Sequence, residues 1–404
     1  MSTGNKTTNM AAFKARLKEF EELLNTEVID LKKLRKLCFN GCPESGYSVR
    51  AVCWKLLLEY LPVEKSEWKN HLTKQRSLYK QFVDELIVKP GANAPEGNNT
   101  DVTMADHPLN PSPNSEWAAY FRDNEMLLQI DKDCRRLCPD LFFFQRATDY
   151  PCTEIVTADF RVETLRKRVE QTVLQSATVS SNRLGITGMV TRPRKSSHEY
   201  AVLPDGQEAH WEVLERILFL FSKLNPGLGY VQGMNEIVGP IYYTFATDPN
   251  EDCREHAEED AFFCFTGLMS EIKDNFMKSL DDSHLYGIGN MMTQLTKMVE
   301  SKDPALGHRM EEVDLKPQYY AFRWLTLLMS QEFPLPDVLR IWDSLFSDEN
   351  RFSFLIHIAC AMLILIRKEL FESDFPCCMK LVQNYPYMTV DIQTVLKKAV
   401  EIMR

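Results

Sequence analysis

Leu335-Pro336-Asp337-Val338-Leu339-Arg340-Ile341-Trp342-Asp343-Ser344-Leu345 has apolar residues at Leu335, Val338, Leu339, Trp342 and Leu345. Steps of three and four place them on one face of a helix. The same spacing recurs on both sides. Phe13, Leu17, Phe20 and Leu24 predict a first helix. Asp30 is placed to cap a second through Leu31, Leu34 and Leu37, which stops near Gly41 and Pro43. Ser48 is placed to cap a third, from Val49 to Leu61, with Pro62 ending it and Arg50 and Trp54 on one face. Trp117 to Arg136 is helical, with Leu127, Ile130 and Cys134 facing inward. Trp211, Leu214, Leu218 and Phe221 share a face. Further helices open at Phe262 and run over Phe354 to Lys368 and Thr389 to Met403. Glycine is scarce, at 16 of 404 residues, and no alternating run is long enough for a sheet. The expected fold is all-α.

With 44% apolar and 26% charged residues the chain resembles a globular protein, which excludes a disordered or collagen-like chain. The net charge of -10 argues against nucleic acid as a partner. Met1-Ser2-Thr3-Gly4-Asn5 has no apolar run, so no secretory signal is expected, and Glu401 to Arg404 is not a prenylation box. The longest apolar run, Phe354 to Ile366, is too short for a transmembrane segment. These features predict a cytoplasmic protein. Cys38/Cys42 and Cys134/Cys138 are each four apart, but no partner pair with zinc spacing follows, so no metal site is expected. The eleven cysteines read as reduced, mostly buried thiols.

Residues 89–115 and 171–209 read as loops or insertions, polar and rich in proline in the first, in Ser, Thr and Arg in the second. Between Phe160 and Ser197 stand Arg161, Arg166, Lys167, Arg168, Arg183, Arg192, Arg194 and Lys195, opposed by Glu163 and Glu170. This stretch reads as a solvated loop. A sharper reading is a weak contact with acidic membrane lipids or an acidic partner.

Walker, H-E-x-x-H and G-x-S-x-G signatures are absent. Three short strings carry more information. They are Arg50-x-x-x-Trp54, Ile130-x-x-Asp133-x-x-Arg136 before Pro139, and Tyr230-x-Gln232 within Asn225-Pro226-Gly227-Leu228-Gly229-Tyr230-Val231-Gln232-Gly233-Met234-Asn235. Read alone, an arginine at a helix end is a solvated residue favoured by the helix dipole. In this order the strings resemble the TBC domain, the module of Rab GTPase-activating proteins. Glu259 to Phe265, Phe322 to Leu325 and Leu335 to Asp343 extend the resemblance.

The resemblance implies a TBC domain over 32–346, with a helical lead over 1–31 and a helical extension over 347–404. It implies that Arg136 and Gln232 act as catalytic fingers on a Rab-type small GTPase in its GTP-bound form, regulating vesicle and membrane trafficking. The protein then needs no cofactor of its own, because GTP and Mg²⁺ are carried by the GTPase. It also implies a peripheral visit to endomembranes through that partner. Asp133, Tyr230 and Ile130 position the fingers, while Arg50 and Trp54 are structural. Pro139 disfavours a helical Cys138, so the helix is expected to end near Arg136, and Asp133 reaches Arg136 at i+3. Arg135 stands beside it, and the motif register selects Arg136. Two features depart from the family pattern. Leu137 stands where a threonine is usual, and the separation of the two fingers is longer, which the basic stretch accounts for. The alternatives are a non-catalytic helical scaffold for a small GTPase or effector, and a thiol enzyme.

Overall fold

The computed structural model describes residues 3–44, 48–87, 116–152, 165, 166, 168–170, 172, 203, 204, 206–277 and 287–404. The expected loop over 89–115 and most of the 171–209 insertion lie outside the described residues, as do Arg161, Lys167, Arg183, Arg192, Arg194 and Lys195. Among the described residues there are helices and isolated bridges, Val28 with Glu64 and Ala147 with Ala209, but no strands. No helix among them is long and apolar enough to cross a membrane.

The chain forms two compact units. One comprises Met1–Thr73 with Pro240–Arg404, the other Lys74–Gly239. In chain order the principal helices are α1 (Thr3–Leu24), α2 (Leu31–Phe39), α3 (Val49–Leu57), α4 (Lys65–Leu86), α5 (Glu116–Cys134), α6 (His210–Leu224), α7 (Met234–Ala246), α8 (Glu251–Glu255), α9 (Ala257–Ile272), α10 (Gly287–Lys302), α11 (Pro304–Glu312), α12 (Ala321–Thr326), α13 (Leu335–Ser347), α14 (Ser353–Leu365), α15 (Arg367–Glu372), α16 (Phe375–Gln383) and α17 (Ile392–Met403).

In the first unit α2 packs on α13 and α14 packs on α17. On α13 Val338, Leu339, Trp342 and Leu345 of the expected face are buried while Leu335 is half-buried, and from Ile341 to Ser347 every residue is buried. Trp54 of α3 meets Phe346 edge-on at 5.1 Å and lies 6.0 Å from Trp342. Polar groups inside this core converge on carboxylates. Asp343, fully buried, accepts from Trp54 Nε1 at 2.8 Å, from Arg50 Nε at 3.2 Å and from the Cys42 amide at 2.7 Å. Asp260, also fully buried, accepts from Lys55 Nζ at 2.6 Å and Tyr60 Oη at 2.8 Å. Arg50 and Trp54 are thus held by one acceptor on a helix far along the chain.

Several element ends differ from the sequence expectation. Phe13 is 42% exposed, and among the described side chains of α1 Phe20 and Leu23 are buried. Asp30 caps α2 by accepting from the Lys33 amide, but Ser48 makes no side-chain cap on α3. α3 stops at Leu57, not Leu61, because Glu59 turns left-handed (φ 60°) and the Lys55 carbonyl accepts from both Tyr60 and Leu61 amides at 2.9 Å. This turn places Tyr60 against Asp260. The stretch from Phe354 to Lys368 breaks at Ile366 into α14 and α15, and α17 begins at Ile392 after an Asp391 cap instead of at Thr389.

In the second unit α5 packs on α6. From His210 to Ser222 every residue of α6 is buried. The basic stretch needs correction here. Arg166 and Arg168 are not solvated but buried, at 7% and 4% exposure. Arg168 donates to the Asn124 side chain and the Tyr120 carbonyl and stacks 3.8 Å over the Tyr120 ring, while Arg166 donates to the Leu203 carbonyl at 2.9 Å. These two guanidiniums are part of the core and are not available to a lipid surface.

Replacing Asp343 with alanine strands a largely buried guanidinium, an indole N–H and a backbone amide. The expected loss is about 3–5 kcal/mol of unfolding free energy in urea titrations, with Asp343→Asn losing less. A loss under about 1 kcal/mol would contradict the role given to this carboxylate.

Candidate functional site

Two surface segments of the second unit meet at Asp133. The first is the end of α5. Ile130 is fully buried and anchors the helix, as are Leu127 and Cys134. The helix ends at Cys134, two residues before the expected point, because the chain tightens there. The Arg136 amide bonds the Asp133 carbonyl and the Leu137 amide bonds the Cys134 carbonyl, both at 3.3 Å. Cys138, for which Pro139 disfavours a helical conformation, is left-handed (φ 45°). This turn sends Arg135 and Arg136 in different directions. Arg135 is buried, paired with Asp131 at 2.9 Å and stacked 4.4 Å over the Trp211 ring. Arg136 is exposed, with 49% of its side chain accessible. Its Nε donates to the Lys132 carbonyl, which the helix end has freed, and its Nη2 donates to Asp133 Oδ1, both at 2.9 Å. Nη1 makes no hydrogen bond within the described residues.

The second segment leads from α6 into α7. Gly229 (φ 64°) and Gly233 (φ 104°) occupy left-handed backbone positions that favour glycine, and between them stand Tyr230, Val231 and Gln232. Tyr230 Oη donates to Asp133 Oδ2 at 2.8 Å. Burial, followed by the neighbouring Cys134 and Asp133, pushes the phenol above its ordinary range, so Tyr230 is a donor at all working pH. Gln232 is exposed, and its side chain makes no hydrogen bond within the described residues.

Asp133 is therefore the junction. Oδ1 takes Arg136, Oδ2 takes Tyr230 and Gln129 (3.1 Å), and its carbonyl takes Asn235 Nδ2 at 3.2 Å. The sequence reading assigned no role to Gln129 or Asn235. Gln129 lies four residues before Asp133, a spacing legible in the chain. Asn235 is legible only as part of the Tyr230 string. Gly239 of α7 is a further contact that sequence did not reveal: a Cβ there would meet Leu137 Cδ2 at 2.8 Å, so α7 sits close against the turn that follows α5.

At the junction stands the exposed Arg136 guanidinium, and two residues beyond Tyr230 stands the exposed Gln232 carboxamide. A guanidinium of this kind can bind an anion through two parallel N–H donors. Cys138 beside it is pushed up to about 12 by burial and by Glu236 and Asp140, which removes it as a thiolate nucleophile at neutral pH. Arg50 and Trp54 belong to the other unit and are buried around Asp343.

A solved structure of the Ypt/Rab-GAP domain of Gyp1p is similar across 96% of this chain and 98% of that one, with a TM-score of 0.62 at 22% identity. The fold is thus that of the helical TBC domain. Residues 193–371 match a family model for the Rab-GTPase-TBC domain. Human TBC1 domain family member 13 is 58% identical over 396 residues, covering 96% of this chain and 98% of that protein. A TBC domain-containing protein of Schizosaccharomyces pombe is 35% identical over 458 residues, covering 96% and 73%. The chain belongs to the Rab-GTPase-TBC domain family. Tyr230 and Gln232 fall inside the matched range, and Asp133 and Arg136 precede it.

Below the junction, Glu215 of α6 is fully enclosed and its Oε1 accepts no hydrogen bond within the described residues. Burial, followed by Asp131, raises its carboxyl well above the ordinary value of 4.5. The folded state therefore holds a proton that the unfolded chain releases near 4.5, and stability falls as pH rises above that value. Glu215→Gln should raise the melting temperature at pH 8, with a smaller gain at pH 5. A gain that grows toward acid pH would contradict this reading.

Proposed function

We propose that this chain accelerates GTP hydrolysis on a Rab-type small GTPase by supplying Arg136 and Gln232 in trans. The observation that carries the reading is Asp133. One buried carboxylate holds both Arg136 and Tyr230, while Arg136 and, two residues beyond Tyr230, Gln232 remain exposed. Family membership supports the partner class.

Phosphoryl transfer from GTP spreads negative charge over the γ-phosphoryl oxygens. Arg136 brings a guanidinium to that charge, and its Asp133 and Lys132 contacts limit the side-chain freedom lost on docking. Gln232 donates N–H to an oxyanion and accepts from water through its carbonyl, so one carboxamide orients the attacking water. The nucleotide and Mg²⁺ reside on the GTPase in its GTP-bound form, and the chain itself needs no cofactor. In this reading the protein limits the lifetime of an active Rab, acts in vesicle trafficking, and reaches endomembranes through that partner.

Single-turnover GTP hydrolysis over a panel of Rab proteins tests the proposal. At least one Rab should be stimulated, and Arg136→Lys should lower stimulation by about 10³-fold or more. Gln232→Ala should lower it on the order of 10²-fold, and Tyr230→Phe by roughly tenfold, through lost positioning. All three variants should fold. Binding of a GTP-loaded Rab without any stimulation would favour the scaffold reading.

A further inference from the structure

We infer that Cys38, Cys42 and Cys53 form a binding site for a soft, thiophilic metal ion, monovalent copper. Their three sulfur atoms all lie within 4.8 Å of one another, and all three residues are buried. Cys38 stands in the last turn of α2, Cys42 follows the left-handed Gly41 (φ 94°), and Cys53 lies on α3 between Arg50 and Trp54. The reading of cysteine pairs found no zinc spacing after Cys38 and Cys42. The third sulfur comes from the next helix, singly, and no pair pattern describes it.

The cluster is rigidly placed. The Cys42 amide is fixed on Asp343 at 2.7 Å, and Arg50 and Trp54, on either side of Cys53, hold the same carboxylate. A tetrahedral zinc site places its sulfurs about 3.8 Å apart, given a Zn–S length near 2.3 Å, so inward closure of about an ångström or less meets any thiolate ion. The choice between ions follows from the donors. Both oxygens of Asp343 are already engaged by Cys42, Arg50 and Trp54, which leaves three thiols without a neighbouring carboxylate to complete a tetrahedron. Three thiolates suit copper(I), which is soft.

The surrounding charge favours an anionic thiolate complex. Arg16 donates to the Leu37 and Gly41 carbonyls, Arg50 donates to the Cys42 carbonyl at 3.3 Å, and Arg340 Nε lies 2.7 Å from where a Gly41 Cβ would stand. Asp343 and Glu44, the latter 3.5 Å from Arg50 Nη1, offset two of these three guanidiniums, which leaves an excess positive charge beside an anionic thiolate complex. Burial raises all three thiols well above their ordinary value of 9.0, so they rest as neutral S–H groups. Binding forms three Cu–S bonds and releases three protons to solvent, with no change of oxidation state. The cluster belongs to the unit that contains neither Arg136 nor Gln232, so the ion would brace α2 and α3 and take no part in hydrolysis.

The test uses the full chain, reduced and anaerobic, titrated with copper(I) against bicinchoninate as the competing chelator. One copper per chain should be retained, with an ultraviolet thiolate-to-copper band and a rise in melting temperature. Cys53→Ala should weaken retention by about 100-fold or more and abolish the thermal shift. Cys264→Ala, a buried thiol outside the cluster, and Cys377→Ala, an exposed one, should leave both unchanged. If Cys53→Ala folds poorly, Cys38→Ala replaces it with the same expected outcome. Absence of retained copper in the wild type, or retention unchanged in the cluster variants, overturns the site. Tighter retention of zinc than of copper overturns the assignment of the ion.

Discussion

A carboxylate taken out of water is stable only when donors surround it, and Asp133 meets that condition with donors that come from two separate segments. Gln129 and Arg136 come from its own helix end, and Tyr230 comes from the loop before α7. The requirement works in both directions. The carboxylate needs these donors to be buried, and the two turns need the carboxylate to be held together. A guanidinium on a free helix end would sample many rotamers. Here its Nε closes a helix carbonyl and its Nη2 closes a buried anion, so its remaining edge faces outward in a defined direction.

The same device recurs in the other unit. Asp343 collects Cys42, Arg50 and Trp54, and Asp260 collects Lys55 and Tyr60. In each case a short acidic side chain joins elements distant in sequence and satisfies polar groups that the helical core would otherwise strand. The motif residues Arg50 and Trp54 acquire their meaning from this pattern, since both serve a single acceptor on α13. The three sulfurs beside Asp343 are a consequence of that convergence. Cys42 and the α3 residues Arg50 and Trp54 are drawn to one carboxylate on α13, and the sulfurs of Cys38, Cys42 and Cys53 lie together beside it.

Helix existence was legible from spacing, but α6 and much of α13 are buried on all sides, because other segments cover the faces that spacing left outward. Helix ends were less legible. Glu59 and Cys138 are non-glycine residues in left-handed conformations, and local propensity predicts neither. Each is held by what the turn delivers, Tyr60 to Asp260 in one case and the divergent Arg135 and Arg136 in the other. Arg166 and Arg168 show a second limit. As members of a basic run they read as a solvated stretch, yet Asn124, Tyr120 and Leu203 accept their donors inside the unit. Charge density along a chain carries no information about whether acceptors from other segments will enclose it.

By itself, the amino-acid order determined that the chain is helical, that it belongs with the TBC domains, and which arginine and glutamine stand in the decisive strings. Periodicity and local motifs contain that information because they depend on neighbours within a few turns. Tertiary structure alone decided that Arg135 is buried on Trp211 while Arg136 is exposed, that Gln129 and Asn235 complete the junction, and that three cysteines meet. Those outcomes depend on which distant donors and acceptors share a buried site, and such pairings leave no periodic trace in a single chain.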